Sequence, residues 1–184
     1  MTTHRRRGAR GFTLIELAIV LAIAALLMRM AAPGFARAAA AQALAAQASE
    51  FMAALRFARS EAIKRGAVVT LCAALAPAAP TDAPRCQAVR KADWRAGWVV
   101  FVDAGRSGRV EDGGPLLRVQ QPLRLSGGVA GTRASISFTA AGFSTDAAAH
   151  FQFNAPAADT PPPSLLVCVS KQGRPRLVRG GSCD

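Results

Sequence analysis

Acidic side chains are scarce in this chain. It carries 11 Asp and Glu against 23 Lys and Arg in 184 residues, a formal net charge of +12. That imbalance argues against cationic ligands and favours polyanions such as nucleic acid or acidic lipid, although an ordinary basic soluble surface reads the same way. Histidine is nearly absent, with only His4 and His150. Of the four cysteines, Cys72, Cys86, Cys168 and Cys183, none forms C-x-x-C and neither histidine stands near a pair, which argues against a zinc site. The chain has no P-loop, no G-x-S-x-G and no H-E-x-x-H, so no familiar catalytic arrangement is visible and no cofactor is implied. Internal repeats are lacking too. The expectation is a protein that is not an enzyme.

What the chain does have is a long apolar run behind a basic cluster. From Phe12 to Ala32 only Glu16 and Arg29 are charged, and Arg5, Arg6, Arg7 and Arg10 come just before. Such a run is long enough for a membrane-spanning helix, which needs about 20 residues. The arginines predict that residues 1–11 face the cytoplasm and that the bulk of the chain lies across the inner membrane. A cleaved secretory signal is the competing reading, since "ARAAAA" after the run offers small-residue cleavage sites. Two features oppose it. The run exceeds a usual signal core, and it contains Glu16, whose burial at mid-membrane costs about 2.5–3.5 kcal/mol. Positions 12 and 20, one turn to either side, are Phe and Val. A free amine made by cutting the chain before Phe12 would supply the missing partner.

The stretch "GFTLIEL" at 11–17 resembles the class III signal of type IV prepilins and type II secretion pseudopilins. The resemblance implies that a prepilin peptidase cuts between Gly11 and Phe12 and that Phe12 is then N-methylated. It implies that Glu16 pairs with the terminal amine of a neighbouring subunit during assembly, and that Pro33 marks a helix kink. The implied partners are the peptidase, the inner membrane, and other major and minor pilins or pseudopilins. Arg29 departs from the all-apolar pattern. It stands about 25 Å along the helix from Phe12, near the outer interface, where it would snorkel to headgroups or ease extraction into a filament.

Residues 35–65 continue as helix. Leu44, Phe51, Leu55, Ala58 and Ala62 recur at helical spacings and form one apolar stripe for a sheet to pack on. Glu61 and Arg65 support the same helix, and Gly66 is its stop. Beyond it the pattern turns to short β-like runs at 67–73, 98–103, 115–120, 134–139, 150–154, 164–170 and 174–179, separated by turn-rich segments. The Pro- and Ala-rich 75–86 reads as a loop, and "ADTPPP" at 158–163 as a break before a final hairpin. Trp94, Trp98 and Phe101 are assigned to the core or its edge rather than to ligand stacking. His150 reads as a surface strand residue. The fold class is therefore α+β, with a long bent N-terminal helix packed on an antiparallel β-sheet head. The layout runs from a leader (1–11) through a membrane and assembly helix (12–34) and an amphipathic continuation (35–65) to a β-rich head (66–184).

Behind an export signal an even cysteine count reads as disulfides. Of three possible pairings, Cys72–Cys86 and Cys168–Cys183 are favoured because each closes a short loop. Each contributes about 3 kcal/mol on the loop-entropy estimate.

"SEAIKRG" (60–66), "VTLC" (69–72), "DWRAGWVVFVD" (93–103) and "LLRV" (116–119) together look like the FimT/GspH family of minor pilins and pseudopilins. In that family a bent helix carries a β-rich head. "DAGRSGRVEDGG" (103–114), with Asp103, Glu111 and Asp112, has the composition of a calcium loop, but its spacing is not that of an EF-hand and Arg106 and Arg109 oppose a cation.

The C-terminal "SKQGRPRLVRGGSCD" carries Lys171, Arg174, Arg176 and Arg179. Alternation places Arg174 and Arg176 on one side of an extended strand, where two guanidiniums suit phosphates. A charged edge strand that resists aggregation has the same pattern, and spacing alone favours that reading. The resemblance shifts the weight. In FimT-type pilins of natural transformation a G-R-x-R motif contributes to DNA binding, and "GRPR" matches it. The expectation is non-specific, salt-sensitive binding of duplex DNA by Arg174 and Arg176, assisted by Lys171 and Arg179. The alternative is a structural minor pseudopilin that primes filament assembly and binds no DNA.

Overall fold

The computed structural model describes residues 12–77, 82–89, 91–110, 114–123, 127–145, 148–155 and 163–183. One helix, α1, runs from Leu14 to Arg65 without a break at Pro33. Its end is set by Gly66 at φ 61. The Ala67 N–H donates to the Ala62 carbonyl at 3.3 Å and the Gly66 N–H to that of Ile63 at 3.4 Å. These paired bonds satisfy carbonyls that the last helical turn leaves open, and the left-handed residue that makes them possible is glycine.

The chain divides into two compact units, the first ending at Arg37 and the second starting at Ala38. In the first, α1 is apolar apart from Glu16, Arg29 and Arg37, and its large side chains, Ile15, Leu21 and Leu26 among them, are exposed. A helix with no polar face suits lipid rather than water. In the second unit α1 carries a defined stripe: Leu44, Ala48, Phe51, Leu55, Ala58 and Ala62 are all buried.

Nine strands follow: β1 (Val69–Ala73), β2 (Ala92–Asp93), β3 (Trp98–Val102), β4 (Leu116–Val119), β5 (Gly128–Gly131), β6 (Ser135–Phe138), β7 (Ala149–Asn154), β8 (Leu165–Val169) and β9 (Pro175–Arg179). They form two sheets, β4-β3-β1-β6 and β2-β5-β7-β8-β9. Every pairing is antiparallel. Both sheets contribute to one core against the α1 stripe. Phe51 stands at its centre, 4.8–5.6 Å from the ring centroids of Trp94, Trp98, Phe151 and Phe153. The edge-to-face geometry of three of these contacts adds to simple burial.

The seven expected strands are present, six with trimmed ends and β7 one residue longer, and β2 and β5 are additional. β5, Gly-Val-Ala-Gly, has no periodic apolar signal; β2 is only two residues long. Between β2 and β3 the segment Trp94–Ala96 is a short 3-10 turn capped by Asp93, whose side chain accepts from the Arg95 N–H. Phe101 does not join the tryptophans. It packs with Cys72 and Val99 in a smaller cluster on the other face of the first sheet.

The disulfides pair Cys72 with Cys86 and Cys168 with Cys183, each with Cα atoms 5.6 Å apart. The first closes the 75–86 loop. The Leu75 N–H donates to the Arg85 carbonyl at 2.7 Å, and the Gln87 N–H to that of Ala73 at 2.9 Å.

Asp103 is buried. Its carboxylate accepts from the Thr70 hydroxyl at 2.8 Å and from the Ser107 and Gly108 N–H groups at 2.9 Å. The side chain offered above as a cation ligand is thus filled by protein donors and holds the turn after β3. Glu111 and Asp112 lie outside the described residues.

Glu61, nearly buried near the end of α1, accepts from Arg65 Nε at 2.6 Å with Lys64 Nζ at 3.7 Å. The Arg65 hydrogen bond holds its carboxyl below the ordinary glutamate value. A depressed folded value means a contribution present above the unfolded pKa and lost as pH falls through the folded one. Thermal melts of Glu61→Gln and the parent chain should therefore differ at neutral pH, with the parent higher. The gap should close as pH drops through and below the glutamate range.

Candidate functional site

β8 and β9 form a hairpin around the turn Ser170–Arg174. The Gly173 N–H donates to the Ser170 carbonyl at 2.9 Å, and the Ser170 N–H to that of Arg174 at 3.2 Å. Gly173 has φ 71, and a Cβ there would sit 2.4 Å from the Gly142 carbonyl oxygen. Glycine is therefore required twice at this point, by the backbone angle and by the close approach. The Ser144 N–H donates to the Lys171 carbonyl at 2.9 Å, so the turn is docked on the β6–β7 connection rather than free in solvent. At the other end the Cys168–Cys183 disulfide ties the segment after β9 back to β8.

On this frame Lys171, Arg174, Arg176 and Arg179 are exposed. Arg174 precedes β9 and belongs to the turn, a small correction to the expected strand at 174–179. Register then separates the four cations. Cys168 pairs with Arg176, and Leu165 with Arg179. Leu165, Val167 and Val169 face the core, so Arg179 shares the helix side of the sheet, where it lines a hollow with Leu44 and Ala45. Arg176 thus lies on the opposite, outer face, with Arg174 and Lys171 in the turn next to it. Arg179 is not with them.

At the other end of the chain, Phe12 is 90% exposed and Gly11 lies outside the described residues. Thr13 is the N-cap of α1. The Thr13 N–H and hydroxyl both donate to Glu16 Oε2 at 3.0 Å, and the Glu16 N–H returns a bond to the Thr13 hydroxyl at 3.3 Å. This is a capping box, and the Thr-x-x-Glu spacing carries it in plain sight. Sequence reasoning treated Glu16 as unpartnered within its own chain; it has a local partner in Thr13.

Two further side chains bear on this face: His150, expected on a surface strand, and Arg133, not singled out by the sequence. His150 on β7 is exposed on the same outer face as Arg176, two strands further in, opposite Cys168 of β8. Arg133 follows β5, with its carbonyl fixed by the Trp94 indole N–H at 3.1 Å. Only the sheet order, absent from any linear pattern, brings them near the hairpin.

The head has the fold of a type IV pilin subunit. Crystal structures of the Pseudomonas aeruginosa type IV minor pilin FimU are similar to it in two crystal forms. One matches at a TM-score of 0.54 and 22% identity, covering 77% of this chain and 95% of that one. The other matches at 0.52 and 21%, covering 77% and 100%. A search of curated protein sequences gave no match. The family profile described as Type II transport protein GspH matches residues 47–173, and the prokaryotic N-terminal methylation motif matches residues 6–31. The chain belongs to the GspH family and is a minor pilin- or pseudopilin-like subunit. Its methylation motif implies processing by a prepilin peptidase and assembly with other such subunits.

Proposed function

We propose that this chain is a minor pilin whose head binds extracellular duplex DNA for uptake. The peptidase cuts between Gly11 and Phe12, Phe12 is methylated, and residues 12–34 hold the subunit in the inner membrane with its head in the periplasm. Glu16 then takes a neighbour's terminal amine as the subunit enters a filament, and Pro33 allows the helix to bend there. Arg174 and Arg176 contact phosphates without reading sequence, and Lys171 adds to the field.

The observation that carries this reading is the hairpin itself. Arg176 lies on the outer face of β9 and Arg174 in the turn just before it, a turn locked by Gly173.

The test is a fluorescence-anisotropy titration of duplex DNA with the full chain in detergent micelles at several salt concentrations. Arg174→Ala/Arg176→Ala should weaken binding at least tenfold and reduce the salt slope by up to about 0.9 per lost contact. Equal binding by parent and variant would remove these arginines from the interface. The description of the family as a type II transport protein favours a second reading, a structural pseudopilin that primes assembly. Absence of duplex binding near physiological salt would select it.

A further inference from the structure

On the outer face of the five-stranded sheet one row of positions runs from β9 to just past β5, with Cys168 within it covered by its disulfide to Cys183. His150 pairs with Cys168, and Cys168 with Arg176. Thr132 continues the row beyond β7. Its N–H donates to the His150 carbonyl at 3.1 Å, and the His150 N–H donates to its hydroxyl at 3.2 Å. β7 alternates strictly, with Ala149, Phe151 and Phe153 in the core and His150 and Gln152 outside. The row therefore cannot turn inward without exposing the core. Two open hollows flank His150. One, of about 370 Å³, is bordered by Arg133, Thr132 and Ser135. The other, of about 290 Å³, is bordered by Gln152 and by Gly180, Gly181 and Ser182 of the segment that the Cys168–Cys183 disulfide ties down.

Basic side chains stand at both ends of the row, Lys171, Arg174 and Arg176 at the β8–β9 hairpin and Arg133 just past β5. Three interstrand steps separate Arg176 from Thr132, about 14 Å. The major groove of B-DNA is about 12 Å wide. One end of the row can thus meet the phosphates of one strand and the other end those of its complement, with the groove lying over His150. The two glycines beside the row carry no side chain to hold the backbone of the nucleic acid away.

We infer that the DNA-binding surface is the outer face of the five-stranded sheet from β9 to the end of β5. The hairpin arginines hold one strand of a duplex, and Arg133, with His150 beside it, holds the other across a groove. This extends the DNA-binding reading above and rests on it.

Single-stranded DNA separates the extension from the reading it builds on. It engages one end of the row only. The full chain in detergent micelles is titrated with a 30-base-pair duplex and with one of its strands. Arg133→Ala should weaken duplex binding about three- to tenfold and lower its salt slope by about 0.9, leaving the single strand unchanged. Arg174→Ala/Arg176→Ala should weaken both. Gln152→Lys, which adds a charge to the exposed face, should tighten the duplex and steepen its slope. That gain cannot be mistaken for misfolding. Arg118→Ala, on the other sheet, should change neither. The inference falls if Arg133→Ala binds duplex like the parent while the hairpin variant does not. It also falls if Arg118→Ala and Arg133→Ala weaken duplex equally, since binding then follows overall charge. Failure of the parent chain to bind any DNA would remove both the extension and the reading beneath it.

Discussion

Replacing Phe51 with Ala should cost the head about 3–5 kcal/mol, the range for removing a fully buried large aromatic. The ring has no exposed surface and touches four other aromatic rings drawn from the 3-10 turn, β3 and β7. Its loss leaves a cavity bounded by rigid indoles and strands, which relax poorly into the space. The expected drop in melting temperature is roughly 10 °C or more for a chain of this size. Arg56→Ala, on the exposed side of the same helix, should stay within about 0.5 kcal/mol of the parent. Thermal melts followed by near-ultraviolet circular dichroism would compare them. A Phe51→Ala melt within a degree or two of the parent would mean that the aromatic cluster is not the centre of the core.

Filament incorporation should fail when Glu16 loses its charge. Removing one partner of an ion pair buried in apolar surroundings costs about 3–5 kcal/mol. The amount of subunit recovered in sheared filaments should therefore fall at least tenfold for Glu16→Ala. The capping box makes a sharper comparison possible. Glu16→Gln keeps an amide able to close the box with Thr13 but carries no charge. Thr13→Ala breaks the box and keeps the charge. If the charge governs assembly, Glu16→Gln fails and Thr13→Ala incorporates more nearly like the parent. The reverse order would show that Glu16 serves mainly to start the helix. Cleavage after Gly11 should persist in all three, read from the mobility of the membrane-bound protein.

The sequence made some of this arrangement visible and hid the rest for identifiable reasons. The α1 stripe from Leu44 to Ala62 was legible because burial on one helix face imposes a spacing that a single segment records. Strands such as β7 and β8 were legible for a similar reason: alternation and β-branched content are local. The two disulfides followed from loop length alone. β5 was not legible, because a strand of Gly, Val, Ala and Gly is held by its neighbours β2 and β7 rather than by its own apolar pattern. The division into two sheets was also hidden, since β1 pairs with β3 and β6 across long stretches of chain. Of the candidate site, Arg174 and Arg176 could be placed near each other by their spacing, although Arg174 stands in the turn rather than in β9. The separation of Arg179 from Arg176 needed only alternation carried along β9. His150 and Arg133 could not have been added, because register across three strands decides what lies beside them.

The two disulfides also give two segments of the head different tolerances to change. Between Cys72 and Cys86, and again between Cys168 and Cys183, the ends of the segment are joined covalently. Closing a loop becomes only slowly more expensive as it lengthens. Insertions, deletions and drift inside the first of these segments can accumulate while β1 and its neighbours keep their pairing. The second segment is constrained differently, because it contains the charged hairpin as well as its own clasp. Variation is thus cheap in the first loop, while in the second any change also touches the integrity of a sheet edge.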